Sequence, residues 1–570
     1  MAMVKMEFTN LKDMLNKTEE MYADKPAYKF KTETPGQFRI ITHKEYRDQI
    51  KALGTALVDM GLQGERIAVI SENRYEWGLA YLSIATGTGV VVPLDRALPP
   101  NEIESLIMRS EVKAIFYSSK YNETMDAIRK AGNSQIKYFI SMDLENKTEE
   151  VYSQKELLEK GKKLLEDGDK RFIDAKIDSE KMGIMLFTSG TTSISKAVML
   201  SHKNLVTNVM DIRNSFKLNE DNTFLSFLPL HHVFECTAGF LYPMSIGASV
   251  AFSAGAKHIA DELKEFEITA MVSVPAVYDI MYRKLLKGIE KKGKLDTVKK
   301  GIKISQALLK FKIDIRKKIF AEIHANLGGK LRLLVAGGAA LDPETEKGFN
   351  ELGFNLLQGY GLTETAPVVA VELPNCHRLG SIGRKFPSVD VKIFEQDEEG
   401  VGELIVKGPS VMIGYYNNEE ATKNAIDSDG WFHTGDLAKI DKDGYIYITG
   451  RKKNVIVLQN GKNIYPEELE ILINKIEGIK ESMIYGMPED GDLTISAKVV
   501  YDKNAIKELY GIDSEEKIEE FINEEIKKIN KTMPAYKYIR NVMVTEEELI
   551  KTTTLKIKRH EEMKKILNTK

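Results

Sequence analysis

The chain has 570 residues, 43% of them apolar and 29% charged, and a formal net charge of −3. At that length a single hydrophobic core is excluded and three or four structural units of about 100 to 200 residues are expected; the composition excludes a disordered or fibrous chain, and the lack of a basic excess excludes a dedicated nucleic-acid binder. The two cysteines, Cys236 and Cys376, make neither a disulfide framework nor, alone, a zinc site, which points to a reducing, cytoplasmic compartment.

The opening MAMVKMEFTNLKDMLNK carries charges and amides where an export signal needs an unbroken apolar core, so no export is expected. Thr42 and Glu45 have capping-box spacing, and Tyr46, Ile50, Leu53, Leu57 and Met60 then recur in alternating steps of four and three up to Gly61, which predicts a helix. A buried strand follows at Ile67, then a helix through Trp77 and Leu82, a strand at Val90, a helix after Asn101 and a strand at Ala114. The apolar run from Gly78, GLAYLSIATGTGVVVPL, is broken by three glycines and reads as helix, turn and strand rather than a membrane span. Such alternation marks a doubly wound unit with a largely parallel sheet.

The pattern returns from Met182 to about Cys376, with strands expected near MLF, FLSFLPL, MVSVP and LRLLVA. From His377 to Gly450 short apolar runs with frequent glycine suggest a small antiparallel sheet or barrel. Beyond Arg451 short strands mix with charged amphipathic helices, one opened by Asp513 and Glu516 and carrying Ile518, Phe521, Ile522 and Ile529 on one face. The expected domains are 1–180, an α/β lobe; 181–376, a second α/β lobe; 377–450, a small β subdomain; and 451–570, a small α+β domain.

Between Arg283 and Lys318 lie 14 Lys and Arg against three Asp and Glu, so this stretch carries +11 and the remainder of the chain −14. Val298, Ile302, Leu309, Ile313 and Phe320 give it one apolar stripe. Two readings stand: a basic amphipathic surface that lies on an anionic bilayer, each cation contributing about 1 kcal/mol, or a helix packed on the protein with a solvated basic face.

The stretch LFTSGTTSISKAVMLSH, Leu186 to His202, crowds seven small or hydroxyl residues, Thr188 to Ser193 with Ser195, around Lys196 between two apolar flanks. Buried strands on both sides would hold the polar middle as a loop. Backbone N–H groups and hydroxyls that donate to an anion, beside one lysine, suit phosphate; a solvated Ser/Thr loop fits the same composition, and the G-x-x-x-x-G-K-[ST] pattern is not met.

Further along come LPLHHVFE (Leu228 to Glu235), VAGGAAL (Val335 to Leu341), QGYGLTET (Gln358 to Thr365), WFHTGD (Trp431 to Asp436), ITGRKKNVIVLQNGKNI (Ile448 to Ile464) and TTTLKIKR (Thr552 to Arg559). In this order and spacing they resemble the adenylate-forming superfamily of acyl-CoA synthetases, firefly luciferases and peptide-synthetase adenylation domains, over nearly the whole chain. LPLHHVFE, the LK before Lys556 and the basic insertion are most similar to long-chain fatty acyl-CoA synthetases. The resemblance implies an α/β fold class, with two doubly wound lobes and a small β-barrel forming a large N-terminal domain, and a small mobile α+β domain at the C-terminus.

The resemblance also implies a chemistry. A carboxylate attacks the α-phosphorus of ATP, pyrophosphate leaves, and the thiol of CoA then displaces AMP. Thr188, Ser189, Gly190, Thr191, Thr192 and Lys196 would hold the β- and γ-phosphates. Tyr360 would stack on adenine beside Gly337 and Gly338, with Ala339, Gln358, Gly359, Gly361 and Thr363 completing the nucleotide site. Glu364 and Thr191 would position Mg2+, and Asp436 and Arg451 would hold the ribose. Lys556 would serve the adenylation step as a mobile cation, Lys453 would be the hinge of the small domain, Gly461 would line the pantetheine channel, and His232 would border the acyl pocket. The superfamily's loop usually reads TSGTTGxPKG; here Ser193, Ser195 and Ala197 replace its second glycine, its proline and its last glycine, and serine at a position needing φ > 0 is strained by about 1 kcal/mol.

Three functions fit this sequence. The first is a ligase for a medium- or long-chain fatty acid, with ATP and CoA as co-substrates, cytoplasmic and touching a membrane through residues 283–318. The second is a ligase for aryl or other acids, or one that stops at the acyl-adenylate. The third, raised by the altered loop, is a catalytically degenerate nucleotide- or acyl-binding protein.

Overall fold

The computed structural model describes residues 7–32, 34, 37–188, 195–374, 376–459, 462–489, 492–552 and 556–568. They form two compact units, one of 7–188, 196–390 and 406–432, the other chiefly of 391–405 and 433–568.

In the first unit the helix His43–Asp59 starts where expected. The Thr42 hydroxyl accepts the Glu45 N–H and the Glu45 carboxylate accepts the Thr42 N–H at 2.8 Å, a complete capping box. Ile50, Leu53 and Leu57 are buried. The neighbouring helix Gln154–Glu166 approaches so closely that a Cβ on Gly161 would lie 1.8 Å from the Ala52 carbonyl oxygen, so only glycine fits there.

Two large sheets dominate this unit. One has the order Gly414–Tyr415, Lys196–Ser201, Met182–Thr188, Val90–Pro93, Arg66–Ile70, Ala114–Tyr117, Tyr138–Ser141, Tyr152–Ser153. Its strands from Met182–Thr188 onward run parallel, and the first three named form antiparallel pairs. The other has the order Arg384–Lys385, Val368–Val371, Leu356–Gly361, Leu333–Ala336, Ala270–Ser273, Thr223–Ser226, Ser249–Phe252, Pro26–Lys31, Phe38–Thr42, parallel from Leu356–Gly361 to Pro26–Lys31. Central strands such as Ala114–Tyr117 and Leu333–Ala336 are apolar and buried at every position, as expected where helices cover both faces.

The sheets interleave along the chain. Pro26–Thr42 joins the sheet built mostly after residue 220, and Met182–Ser201 joins the sheet built mostly before residue 160. A boundary at 180/181 therefore cuts through both, because crossovers and packing, not chain order, choose neighbours in a doubly wound sheet.

Residues 390–451 form a four-stranded sheet in the order Asp390–Phe394, Gly402–Lys407, Phe432–Ile440, Ile446–Arg451. Toward the C-terminus, Ile479–Glu489, Asp492–Tyr501 and Asn541–Thr545 make a three-stranded sheet, the first pair antiparallel and the second parallel. The helix Glu515–Asn530 buries Ile518, Ile522 and Ile526, with Phe521 and Ile529 packed at the edge. Asp513 does not open it: the N-cap is Ser514, and no side chain caps it.

The basic stretch forms the helices Pro275–Lys291, Leu295–Leu309 and Arg316–Ile319. Val298, Ile302 and Phe320 pack on the core, but Ile313 points outward at 49% exposure, together with Ile304 at 56% and Phe311 at 76%. Among the described residues no helix is long and apolar enough to cross a membrane.

Candidate active site

In the first unit the motif loops follow the carboxyl ends of parallel strands of one sheet, the position at which open α/β sheets place their ligands. Leu228–His232 follows Thr223–Ser226, Gly337–Ala339 follows Leu333–Ala336, and Gly359–Glu364 closes Leu356–Gly361 and the turn after it. Gly337 donates its N–H to the Ser273 carbonyl at 3.0 Å, and a side chain on it would press the Phe234 ring at 3.0 Å. Gly338 has φ +84°, a conformation suited to glycine. A Cβ on Gly361 would lie 1.9 Å from the Pro367 carbonyl oxygen, so this position too admits only glycine.

Lys196 faces Thr188 across the antiparallel pair Met182–Thr188 and Lys196–Ser201, so the hydroxyl-rich stretch connects two core strands. Ser189, Gly190, Thr191, Thr192 and Ser193 lie outside the described residues, as does Gly461. The Lys196 ammonium sits 4.6 Å from the centroid of the Tyr415 ring, a cation–π contact. The Tyr415 hydroxyl donates to Glu364 Oε1 at 2.9 Å, and the Glu364 carbonyl accepts the Met412 N–H at 2.8 Å. Burial and then the Glu364 charge push the Tyr415 phenol far above its usual range, so it stays a neutral donor. Lys196, Tyr415 and Glu364 thus form a connected set, with Tyr360 on the strand leading to Glu364.

Glu364 offers a hard oxygen ligand, and among the described residues no group of three His, Cys, Asp or Glu gathers to hold a metal. Mg2+ fits such a place because it commonly takes one or two carboxylates and completes its shell with water and substrate phosphate.

LPLHHVFE is tied from a distance. Asn73 donates to the Leu228 carbonyl at 2.6 Å and to Ser226 Oγ at 3.1 Å, and accepts the Leu230 N–H at 3.1 Å. His231 Nε2 lies 3.2 Å from Asp95, and its ring centroid is 4.1 Å from that of His232. Burial, with His232 and Arg96 nearby, holds His231 well below the usual imidazole range. Glu235, fully buried, is pushed up to about 8 by burial.

In the second unit Asp436 and Arg451 face each other across the strands Phe432–Ile440 and Ile446–Arg451, with Arg451 Nε 2.6 Å from Asp436 Oδ1. Lys453 lies in the turn Lys452–Asn454, where partial desolvation and then the charges of Arg451, Lys556 and Arg559 lower its pKa. The sequence-selected residues Asp436, Arg451, Lys453 and Lys556 therefore share one electrostatic neighbourhood. Glu403 braces it by accepting from Gly435 N–H at 3.0 Å, with His433 Nδ1 at 3.1 Å and Lys452 Nζ at 3.0 Å. Burial alone would raise the Glu403 pKa, but these partners hold it below the ordinary value.

A family model described as "AMP-binding enzyme" matches residues 15–416, and a second, "AMP-binding enzyme C-terminal domain", matches residues 453–566. The chain belongs to the AMP-binding enzyme family. The peroxisomal long chain acyl-CoA synthetase 6 of Arabidopsis thaliana is 28% identical over 83% of this chain and 70% of its own length. A long-chain-fatty-acid–CoA ligase of Mycobacterium tuberculosis is 28% identical over 83% of this chain and 79% of its own. In fold, this AMP-binding enzyme is similar to ATP-bound MatB from Rhodopseudomonas palustris, with a TM-score of 0.76 and 22% identity over 98% of this chain and 99% of that one.

The sequence motifs do not single out Tyr415, Asn73, Asp95 or Glu403. Tyr415 lies 51 residues from Glu364 in a run, IGYYNNEEAT, that reads as an ordinary strand and helix start. Asn73, in RIAVISENRYEW, looks like a turn residue.

Proposed function

We propose that this AMP-binding enzyme activates a medium- or long-chain fatty acid and passes it to CoA. A carboxylate oxygen attacks the α-phosphorus of ATP, the bond from that phosphorus to the bridging oxygen breaks, and pyrophosphate leaves with that bond's electron pair. The CoA sulfur then attacks the acyl carbon, the carbon–oxygen bond to AMP breaks, and the thiol proton passes to solvent. The observation that carries this reading is the Lys196–Tyr415–Glu364 set, which supplies a cation, a neutral donor and a carboxylate, with Tyr360 and Gly361 on the strand leading to Glu364 and Gly337 and Gly338 in the loop after the neighbouring strand Leu333–Ala336. When bound at Glu364 and Thr191, Mg2+ neutralises phosphate charge. Lys196, with Thr188 and the hydroxyls of 189–192, holds the departing diphosphate; Gly337, Gly338, Ala339, Gln358, Gly359, Tyr360, Gly361 and Thr363 receive the base; Asp436 and Arg451 take the ribose; Lys453 serves as hinge, Gly461 lines the pantetheine channel and His232 borders the acyl chain. The two curated relatives, named for long-chain acids, support the chain-length assignment.

Pyrophosphate release measured across acids of increasing chain length and aryl acids, with and without CoA, tests it. Release and thioester with C8 to C18 acids are expected. Thioester with aryl acids alone moves the substrate class, adenylate without thioester removes the second step, and no release with any acid leaves a binding protein.

We also propose a cytoplasmic enzyme that docks on anionic membrane through residues 283–318. Lys303, Lys310, Lys312, Lys317 and Lys318 have no ion-pair partner among the described residues, and Lys303, Lys310 and Lys312 are chain neighbours of the exposed Ile304, Phe311 and Ile313. Cations alternating with exposed apolar side chains match an anionic interface. Co-sedimentation with anionic vesicles should fall with salt, and Lys303→Glu with Lys310→Glu and Lys312→Glu should lower it by at least about tenfold, leaving activity on a short soluble acid unchanged. Equal binding to neutral vesicles, or none to anionic ones, removes the proposal.

A further inference from the structure

Asn73 stands in the turn after the strand Arg66–Ile70, and its side chain reaches into the other large sheet of the first unit. Its amide nitrogen donates to the Leu228 carbonyl at 2.6 Å and to Ser226 Oγ at 3.1 Å, and its amide oxygen accepts the Leu230 N–H at 3.1 Å. Both amide hydrogens and one acceptor position are thus spent on the single segment Ser226–Leu230. The two backbone groups it pairs lie on either side of Pro229, which has no N–H to contribute, just where the chain leaves the ladder of Thr223–Ser226. Backbone groups that leave a ladder need another partner, and here one side chain provides it.

The end that holds is stiff. Glu72 Oε2 accepts the Ser118 hydroxyl at 2.8 Å, Arg74 reaches Glu76 and Asp143, each at 2.7 Å, and Asp143 also accepts the Ser119 N–H at 2.6 Å. Ser118 and Ser119 follow the strand Ala114–Tyr117, and Asp143 follows Tyr138–Ser141. The residues on both sides of Asn73 are therefore fastened to the carboxyl ends of the next two strands of its own sheet.

The end that is held leads to His232. Leu230 is 2% exposed, and directly after it the chain turns, with His232 N–H donating to the Pro229 carbonyl at 3.0 Å and the His232 carbonyl accepting the Cys236 N–H at 3.0 Å. A displacement of Leu230 is passed to His232 through two peptide bonds and that turn. The route to the nucleotide glycines is longer: the strand Ala270–Ser273 stands between Thr223–Ser226 and Leu333–Ala336, the strand that leads to Gly337 and Gly338.

We propose that Asn73 is a positioning residue for the fatty acid: it fixes Leu228 and Leu230 to the opposite sheet and so sets where His232 stands at the acyl pocket. The inference rests on the assignment of His232 to that pocket and adds to it a determinant on a different sheet. Loss of the tie should weaken binding of the acid and leave binding of ATP as it is.

The test is KM for the acid and KM for ATP in Asn73→Ala and Asn73→Asp, with amide hydrogen exchange over residues 226–232 as a second readout. Asn73→Ala removes all three bonds and should raise KM for a C16 acid about tenfold, the size of a net hydrogen bond or two lost from the loop, with KM for ATP changed less than about twofold. Asn73→Asp has the same size and still accepts from Leu230, but it sets a carboxylate oxygen against the Leu228 carbonyl; it should raise KM for the acid as well, and it keeps the test open if the alanine variant does not fold. Exchange over 226–232 should be faster in both. A merely structural asparagine would lower the unfolding midpoint and the amount of active enzyme, leaving both KM values where they are. That outcome, an equal rise in both KM values, or unchanged exchange would overturn the proposal while the natural enzyme still activates fatty acids. No turnover of any acid by the natural enzyme would instead overturn the fatty-acid reading, and this proposal with it.

Discussion

Lys556→Ala is expected to slow acyl-adenylate formation by about 10²- to 10³-fold, the loss typical when one preorganised donor is taken from developing negative charge, while thioester formation from supplied acyl-adenylate stays unchanged. The asymmetry follows from charge. In the first step a carboxylate approaches phosphate oxygens that are already negative, so a cation placed there is needed most in the transition state. In the second step a thiol meets a neutral acyl carbon and AMP departs. The site around Lys556 survives loss of its amine: Thr552 N–H donates to the Lys556 carbonyl at 2.8 Å, Lys556 N–H donates to Thr552 Oγ1 at 3.2 Å, and Lys551 bridges to Ile557. Arg559 is fastened to Glu470 at 2.5 Å and to the Ile484 carbonyl at 3.0 Å, and the buried pair Lys498–Glu562 at 2.8 Å ties the last helix to the sheet. The two half-reactions are measured separately, one by pyrophosphate release and the other with synthetic acyl-adenylate and CoA. Equal loss in both would mean that Lys556 serves the fold or the thiol step.

Features written within a few residues were legible in the sequence, and features that depend on distant partners were not. The capping box at Thr42 and Glu45 needs only its own four residues, so pattern and structure agree there. The strands at Arg66–Ile70 and Ala114–Tyr117 are marked by unbroken apolar runs. The sheet each strand joins is decided elsewhere: nothing in PAYKFK says that it pairs in parallel with Ser249–Phe252, more than 200 residues away. Asp513 and Glu516 have the spacing of a capping box, yet the chain turns one residue later, at Ser514. Ile313 fits a helical stripe by count, but it lies beyond the end of Leu295–Leu309 and faces outward.

The candidate site divides the same way. Gly338 and Gly361, like Asp436 and Arg451, sit in motifs whose order is specific, and at both glycines backbone geometry or close approach then excludes other residues. The groups that hold these residues in place are single side chains from other elements. Tyr415 reaches Glu364, Asn73 ties Leu228 and Leu230, and Glu372 clamps Gln358. A lone tyrosine, asparagine or glutamate carries no periodic signal, and its role exists only once the sheets are assembled.

Glu364→Gln should lower kcat/KM for ATP by about 100-fold, a loss of about 2.7 kcal/mol, and raise the Mg2+ concentration needed for half-maximal rate. Glutamine keeps an oxygen that accepts from the Tyr415 hydroxyl, now 2.9 Å from Glu364 Oε1, so local packing is preserved while the anionic ligand is removed. Tyr415→Phe does the reverse, leaving the carboxylate and removing one donor; its expected effect is about three- to tenfold, the size of one ordinary net hydrogen bond, with no change in Mg2+ requirement. The comparison separates two roles for Glu364. As a metal ligand, its charge matters more than its hydrogen bond, and excess Mg2+ partly restores the Gln variant. As a structural link between the turn Thr363–Thr365 and the strand Gly414–Tyr415, the bond matters more, so the Phe variant would be the more damaged of the two and Mg2+ would rescue neither. Initial rates of pyrophosphate release across Mg2+ concentrations at fixed ATP decide between them.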